Sequence, residues 1–156
     1  MDPSDPSDPS DPSDLVELRT MYVFSPAEGE TWGLAFDGFG SHLLTRDPDE
    51  FLRLDEGRTG PVRGASLHFG ITCDDEVLEG FAVLMPEGVA IKDCTARAAA
   101  DFVAWLRDAV VPQDKTITFN TEWGIEGQIP DSPVPEGTRP RLVASFLAHL
   151  ETLGLG

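Results

Sequence analysis

The stretch from Lys115 to Pro130 constrains this chain most, because it combines a strand-like apolar pattern with a polar opposite side. Apolar and polar positions alternate with a period of two, which is typical of a half-buried β-strand or of a hairpin broken near Gly124. The apolar side consists of Ile117, Phe119, Trp123, Ile125 and Ile129. The polar side consists of Asn120, Glu122, Glu126 and Gln128. We therefore expect the apolar side to line a core and the polar side to face solvent or a partner.

The chain is strongly acidic, with 28 Asp and Glu against 11 Lys and Arg in 156 residues and a formal net charge of −17. Residues 1–14 repeat the triplet DPS four times and carry five Asp, so the charge of the remainder is still −12. Frequent proline without apolar side chains predicts a disordered tail over 1–14. Residues 15–156 fit a single domain with one core. Such a charge disfavours nucleic acid and anionic membranes and favours a basic partner.

The compartment follows from what the sequence lacks. No run approaches the ~20 apolar residues that a membrane span requires, and the start of the chain is acidic where a signal peptide is basic and then apolar. Cys73 and Cys94 do not form a C-x-x-C pair. We predict a cytoplasmic protein with two free thiols.

Apolar alternation in the first two thirds of the chain predicts a meander of antiparallel strands. Asp37-Gly38 is typical of a tight hairpin turn, and Asp47-Pro48 followed by Glu50 predicts a short helix through Leu54. The expected strands are 15–24, 32–36, 39–45, 67–73, 77–85 and 89–92.

Two amphipathic helices are predicted in the last third of the chain. The first is capped by Thr95 and stopped by Pro112, and the second carries Phe146 on its apolar side and ends at Gly154. The proline-rich residues 131–138 are expected to form an extended loop. This order predicts an α+β fold, a mainly antiparallel sheet with the two C-terminal helices packed on one face. The other face is left for solvent or function.

Motifs of catalysis and metal binding are absent from the sequence, including H-E-x-x-H, paired cysteines, G-x-S-x-G, G-x-G-x-x-G and the P-loop. On a strand, His68 and Cys73 point to opposite faces. Glu122 and Glu126 would lie roughly 13 Å apart on one strand at ~3.3 Å per residue, beyond the ~5–9.5 Å of glycosidase carboxylates. We predict no catalytic residue, no metal and no cofactor. A small enzyme with dispersed acid–base residues and an assembly domain are the alternatives.

The polar row is instead predicted to bind a basic protein, because electrostatic complementarity directs the capture of a cationic partner. The amides of Asn120 and Gln128 extend the row with groups that both donate and accept hydrogen bonds. The predicted partner-binding residues are Asn120, Glu122, Glu126 and Gln128. The sequence leaves the oligomeric state open.

The run F-N-T-x-x-G-x-E, from Phe119 to Glu126, is followed by a proline-rich loop and a helix. From Thr95 onward this arrangement resembles small bacterial immunity proteins of polymorphic-toxin systems. The resemblance implies a non-enzymatic α+β inhibitor that binds a cognate toxin, often a basic nuclease or deaminase. The acidic composition independently agrees with a cationic target.

Overall fold

One seven-stranded sheet and five helices make up the described part of the chain. The computed structural model describes residues 12–55, 65–84 and 87–153, with the backbone alone for 12–14. The strands are β1 (Thr20–Pro26), β2 (Leu52–Asp55), β3 (Ser66–Cys73), β4 (Glu76–Leu84), β5 (Glu87–Cys94), β6 (Ile117–Thr121) and β7 (Ser132–Pro133). The helices are α1 (Pro12–Glu17), α2 (Phe36–Arg46), α3 (Ala96–Trp105), α4 (Glu122–Glu126) and α5 (Arg139–Thr152). A π-helical turn, Leu106–Val110, extends α3.

The strand order is β2-β3-β4-β5-β1-β6-β7, and every neighbouring pair is antiparallel. Strand β1 lies between β5 and β6 and is antiparallel to both, so β5 and β6 run parallel. Helix α3 makes the crossover that a parallel pair requires. This arrangement confirms the predicted α+β fold with a mainly antiparallel sheet.

Aromatic side chains join the two C-terminal helices to one face of the sheet. The ring of Phe102 in α3 lies 5.7 Å from that of Phe24 and 6.2 Å from that of Phe69, centroid to centroid. Phe146 in α5 lies 4.6 Å from Phe119 and 5.3 Å from Tyr22. All of these side chains are fully buried, so α3 and α5 cover the same face, as predicted.

The strands of the central meander and the two C-terminal helices agree with the sequence-based predictions. Strands β3, β4 and β5 occupy the expected segments within two residues at each described end. Thr95 caps α3, because its Oγ1 accepts a hydrogen bond of 3.3 Å from the N–H of Ala98. These segments have long periodic patterns or local caps, which makes them readable from sequence.

The predicted hairpin around Asp37-Gly38 is wrong, since this segment forms helix α2. Phe39 and Leu43 are buried one helical turn apart, and Gly38 does not adopt the positive φ of a tight hairpin turn. The apolar residues of this segment fit a period of two and a period of 3.6 equally. Packing of Phe39 against Phe69, at 5.4 Å between ring centroids, selects the helix.

The predicted helix over 47–54 is also wrong, because Leu52–Asp55 pairs with β3 as an edge strand. Asp47 contacts β3 instead, because its Oδ2 accepts a hydrogen bond of 3.3 Å from the N–H of Thr72.

The first strand begins at Thr20 and not at residue 15, because α1 precedes it and buries Leu15. Helix α1 takes in residues 12–14 of the predicted tail. Residues 1–11 and Gly154 lie outside the described residues.

Arg139 begins α5, where the helix dipole disfavours a positive charge. Its guanidinium forms an ion pair with Asp74 in the β3–β4 turn, and this pair raises the pKa of Arg139 although burial opposes the effect. The contact also ties the start of α5 to the far end of β3.

Among the described residues, no helix is long and apolar enough to cross a bilayer.

Replacing Phe146 tests the role of the aromatic contacts. Phe146→Ala should reduce the free energy of unfolding by about 3–5 kcal/mol, because it leaves a cavity against β1 and β6. Phe51, which is 44% exposed, offers a control of the same chemistry, and Phe51→Ala should cost no more than about 1 kcal/mol. Urea denaturation of both variants measures the difference, and equal losses would contradict the assignment.

Candidate functional site

The stretch from Lys115 to Pro130 is not one strand, because β6 ends at Thr121 and α4 begins at the next residue. Thr121 is the N-cap of α4, since its Oγ1 accepts a hydrogen bond of 3.2 Å from the N–H of Gly124. Ile117 and Phe119 are buried as predicted. Ile125 and Ile129, predicted to line the core, are 49% and 37% exposed.

Asn120 explains why the chain reverses after α4. Its Nδ2 donates to the carbonyl of Ile129 at 2.9 Å and to Oδ1 of Asp131 at 3.0 Å. Its Oδ1 accepts from the N–H of Thr121 at 2.9 Å. Asn120 is only 3% exposed. The predicted solvent-facing position of Asn120 is therefore wrong, because its polar groups hold the loop that follows α4.

His149 fixes the other end of α4 to helix α5. A hydrogen bond of 3.0 Å joins its Nε2 to Oγ1 of Thr121, the residue that caps α4. The Phe119 ring packs edge-on against the imidazole, with centroids 5.1 Å apart. Burial lowers the pKa of His149, because the charged imidazolium loses its hydration. The neutral ring is thus a component of the joint between β6, α4 and α5.

Gly124 lies at the centre of this joint. A Cβ at this position would overlap Oδ1 of Asn120 and would lie 3.2 Å from Cε1 of His149. Only glycine lets the first turn of α4 approach both side chains so closely. The sequence pattern predicts only a possible hairpin break near this residue.

The exposed side of α4 carries Glu122, Ile125 and Glu126, which we call the α4 stripe. These positions are spaced i, i+3 and i+4, so they share one side of the helix, and all three are exposed. The two glutamates are about 6 Å apart at Cβ and not the roughly 13 Å expected on a strand. Neither carboxylate makes an ion pair or side-chain hydrogen bond with the described residues.

Gln128 follows the stripe in the turn after α4. It is exposed and adopts a left-handed backbone with φ of 60°. The structure therefore keeps Glu122, Glu126 and Gln128 together at the surface, whereas Asn120 is buried. Ile125 was missed as a surface residue. The available signal was Thr121 followed by Glu122, a helix N-cap with an acidic first turn.

A cavity of about 550 Å³ lies between the π-helical turn and the proline-rich loop. Its charged lining includes Arg107, whose Nε pairs with Asp108 at 3.1 Å and whose Nη1 donates to the carbonyl of Gly137 at 2.8 Å. No histidine, cysteine or serine lines it. Its other polar lining residues include Lys115, Thr116 and Glu136.

The two thiols lie elsewhere, buried and unlinked at the ends of β3 and β5. Burial raises the pKa of Cys73 to about 12, although Arg46 opposes the rise, and burial also raises the pKa of Cys94. Both thiols therefore stay protonated and weakly nucleophilic at neutral pH. Within the described ranges, no group of three or more His, Cys, Asp or Glu residues is placed to hold a metal ion.

Comparison of the chain with protein-family models, with curated proteins and with solved structures found no match. The candidate site consequently rests on its own geometry: an exposed acidic and apolar stripe supported by a buried polar joint.

Gly124→Ala tests the joint. The added methyl group should reduce the free energy of unfolding by about 1–3 kcal/mol, because Asn120 or His149 must move to accommodate it. Gly38 in α2 provides the control, since a Cβ there meets nothing within 4 Å. Gly38→Ala should leave stability unchanged or raise it by up to about 1 kcal/mol. Chemical denaturation of the two variants gives the comparison.

The buried imidazole predicts a pH dependence of stability. Because the folded-state pKa of His149 is lowered, the unfolded chain binds more protons below the usual histidine pKa of about 6.5. The free energy of unfolding should be constant above this pH and fall as the pH drops toward 5. His149→Gln should remove its part of that fall.

His68 needs a matched variant, because burial also lowers its pKa, with Arg53 and Lys92 contributing. His68→Gln should leave the share due to His149 in place. Denaturation curves between pH 5 and 7.5 distinguish the two residues. An unchanged pH profile in His149→Gln would show that the joint does not titrate in this range.

Proposed function

We propose that this protein is a non-enzymatic binding protein whose α4 stripe, with Gln128 beside it, contacts a basic protein partner. The observation that carries the proposal is the combination of exposed Ile125 with two carboxylates that pair with no described residue. Interfaces commonly surround an apolar centre with polar groups.

The buried joint supports this role, because it orders the stripe before any partner arrives. Asn120, Thr121 and His149 connect α4 and the loop after it to β6 and α5 through hydrogen bonds of 2.9–3.2 Å. A surface that is already ordered loses less conformational entropy on binding. The stripe can therefore turn a small contact area into useful affinity.

The charge of the chain supports a cationic partner. A net charge of −17 raises the encounter rate with basic proteins and disfavours nucleic acid and anionic membranes. Five basic side chains form ion pairs with carboxylates, namely those of Arg19, Arg46, Lys92, Arg107 and Arg139. These pairs neutralise positive charge locally, so Glu122 and Glu126 keep their attraction for an approaching cation.

More specifically, we propose an immunity protein that inhibits a basic bacterial toxin in the cytoplasm by direct binding. The resemblance of the run from Phe119 to Glu126 supports this identity. Two buried, unlinked cysteines agree with a reducing compartment. Inhibition by binding needs no catalytic residue, metal or cofactor in this chain.

Charge reversal on the stripe tests the proposal. The partner is captured from the source lysate on immobilised wild-type protein, identified, and its binding kinetics are measured over a salt series. Glu122→Lys/Glu126→Lys should weaken binding by about tenfold or more, mainly through a slower association rate. Association with the wild type should also slow as salt rises, because exposed charges are screened beyond ~8 Å at physiological ionic strength.

The control is Asp37→Lys/Asp49→Lys, which makes the same change in net charge on exposed residues beside β2 and β3, at the opposite edge of the sheet. It should retain most of the affinity. Equal weakening in both double variants would show that net charge, and not the α4 stripe, governs binding. Equal affinity in all proteins without salt dependence would remove the stripe from the interface.

A further inference from the structure

The face of the sheet opposite α3 and α5 carries an apolar trough. Antiparallel sheets usually present polar side chains on such a face. Here Phe81 of β4, Ala90 of β5 and Val23 of β1 are direct cross-strand neighbours on it. With Val83 and with Ile125 from α4 they line a cavity of about 330 Å³.

The shape of the trough comes from its small residues. Gly88 and Ala90 form its floor, and the Cβ of any other residue at Gly88 would lie 3.1 Å from the carbonyl of Phe24. Phe81 stands at one side, with the His68 ring 5.9 Å away, and Ile125 of the α4 stripe stands at another. The volume is at the lower end of the ~300–1,000 Å³ of ligand pockets, which suits one large side chain of a partner.

Two carboxylates near the trough are held in place, Glu87 at the start of β5 and Asp131 at the rim. Glu87 accepts hydrogen bonds from the hydroxyl of Thr31 at 2.7 Å and from the N–H groups of Trp32 and Leu34 at 2.8 and 2.6 Å. Burial favours its neutral form, but these three bonds outweigh burial and lower the pKa of Glu87. Asp131 is fixed by Nδ2 of Asn120. Asp131 therefore keeps a carboxylate beside the apolar floor, whereas Glu87 alternates with Gly88 and turns toward the side of β5 that carries Val89.

We propose that this trough receives a large apolar side chain of the basic partner, with a neighbouring Lys or Arg of that partner reaching Asp131. This inference rests on the proposed function and deepens it, because Ile125 belongs to both the trough and the α4 stripe. A concave, mainly apolar surface with a few placed polar groups is the usual form of a binding site. Charge complementarity selects a basic occupant over a neutral or acidic one.

A random 12-residue peptide library displayed on phage, selected on the immobilised full chain, provides the probe. Enriched peptides should carry Lys or Arg within two positions of Phe, Trp, Leu or Ile. Synthetic fluorescein-labelled copies should bind wild type, as measured by fluorescence anisotropy. Ile125→Ala and Val83→Thr should each weaken binding by about five- to tenfold, because each makes the wall of the trough smaller or more polar.

Val77→Thr is the matched control for Val83→Thr. Val77 lies on the same strand and face, is 63% exposed, and is about 20 Å from Val83 at ~3.3 Å per residue. The Val77→Thr substitution should change the affinity for the peptides less than twofold. Thermal unfolding of all variants should coincide with that of wild type within a few degrees, since each replaced side chain faces solvent or the open trough.

The outcomes separate this inference from the proposed function. If the captured partner is lost on charge reversal at Glu122 and Glu126 but binds Val83→Thr like wild type, the stripe stands and the trough is overturned. Enriched peptides that lack basic residues would contradict the proposal that the occupant of the trough is basic. A selection that enriches no peptide would contradict it as well. Peptides that bind all variants equally would place the contact elsewhere.

Discussion

The burial of one aromatic face of the sheet is the constraint on which the rest of this structure depends. Tyr22, Phe24 and Phe119 project from the adjacent strands β1 and β6, and Phe146 contacts all three. Because β1 is inserted between β5 and β6, these side chains come from distant parts of the chain and meet under α3 and α5. Apolar burial on this scale is the main favourable contribution to folding.

The same constraint explains the site. Phe119 must face the helices, which turns its neighbour Asn120 to the opposite face of the sheet. There the amide holds the loop after α4, while Thr121 points back to His149 in the helix layer. Two consecutive residues at the end of β6 therefore form hydrogen bonds on opposite faces of the sheet. The exposed stripe on α4 is a consequence of how the core strand ends.

Charge and apolar surface converge on the uncovered side of the molecule. Most described arginines are neutralised by nearby acids, whereas Glu122 and Glu126 are left with solvent. The trough beside them is lined by Val23, Phe81 and Val83, at positions where an uncovered antiparallel sheet ordinarily presents polar residues. Burying an apolar side chain there would add affinity, and the fixed carboxylate of Asp131 would add selectivity.

The sequence by itself determined the elements whose signals are local. Strands β3, β4 and β5 have sustained alternation, α3 has a Thr95 cap and α5 a long apolar stripe, so each follows from a few neighbouring residues. The resulting fold class, with both helices on one face, was therefore predictable. The acidic character and the surface position of Glu122, Glu126 and Gln128 were predictable as well.

Only the tertiary structure decided the remaining assignments, because their patterns fit two periods or depend on distant partners. The residues around Phe39 alternate and also recur at helical spacing, and the contact with Phe69 selects the helix. The alternation of Ile125 and Ile129 continues that of β6 and competes with the local N-cap signal of Thr121, and the contact with His149 helps to decide where the strand ends. His149 lies 28 residues from Thr121 in the sequence, so their hydrogen bond exists only once α5 has packed on the sheet.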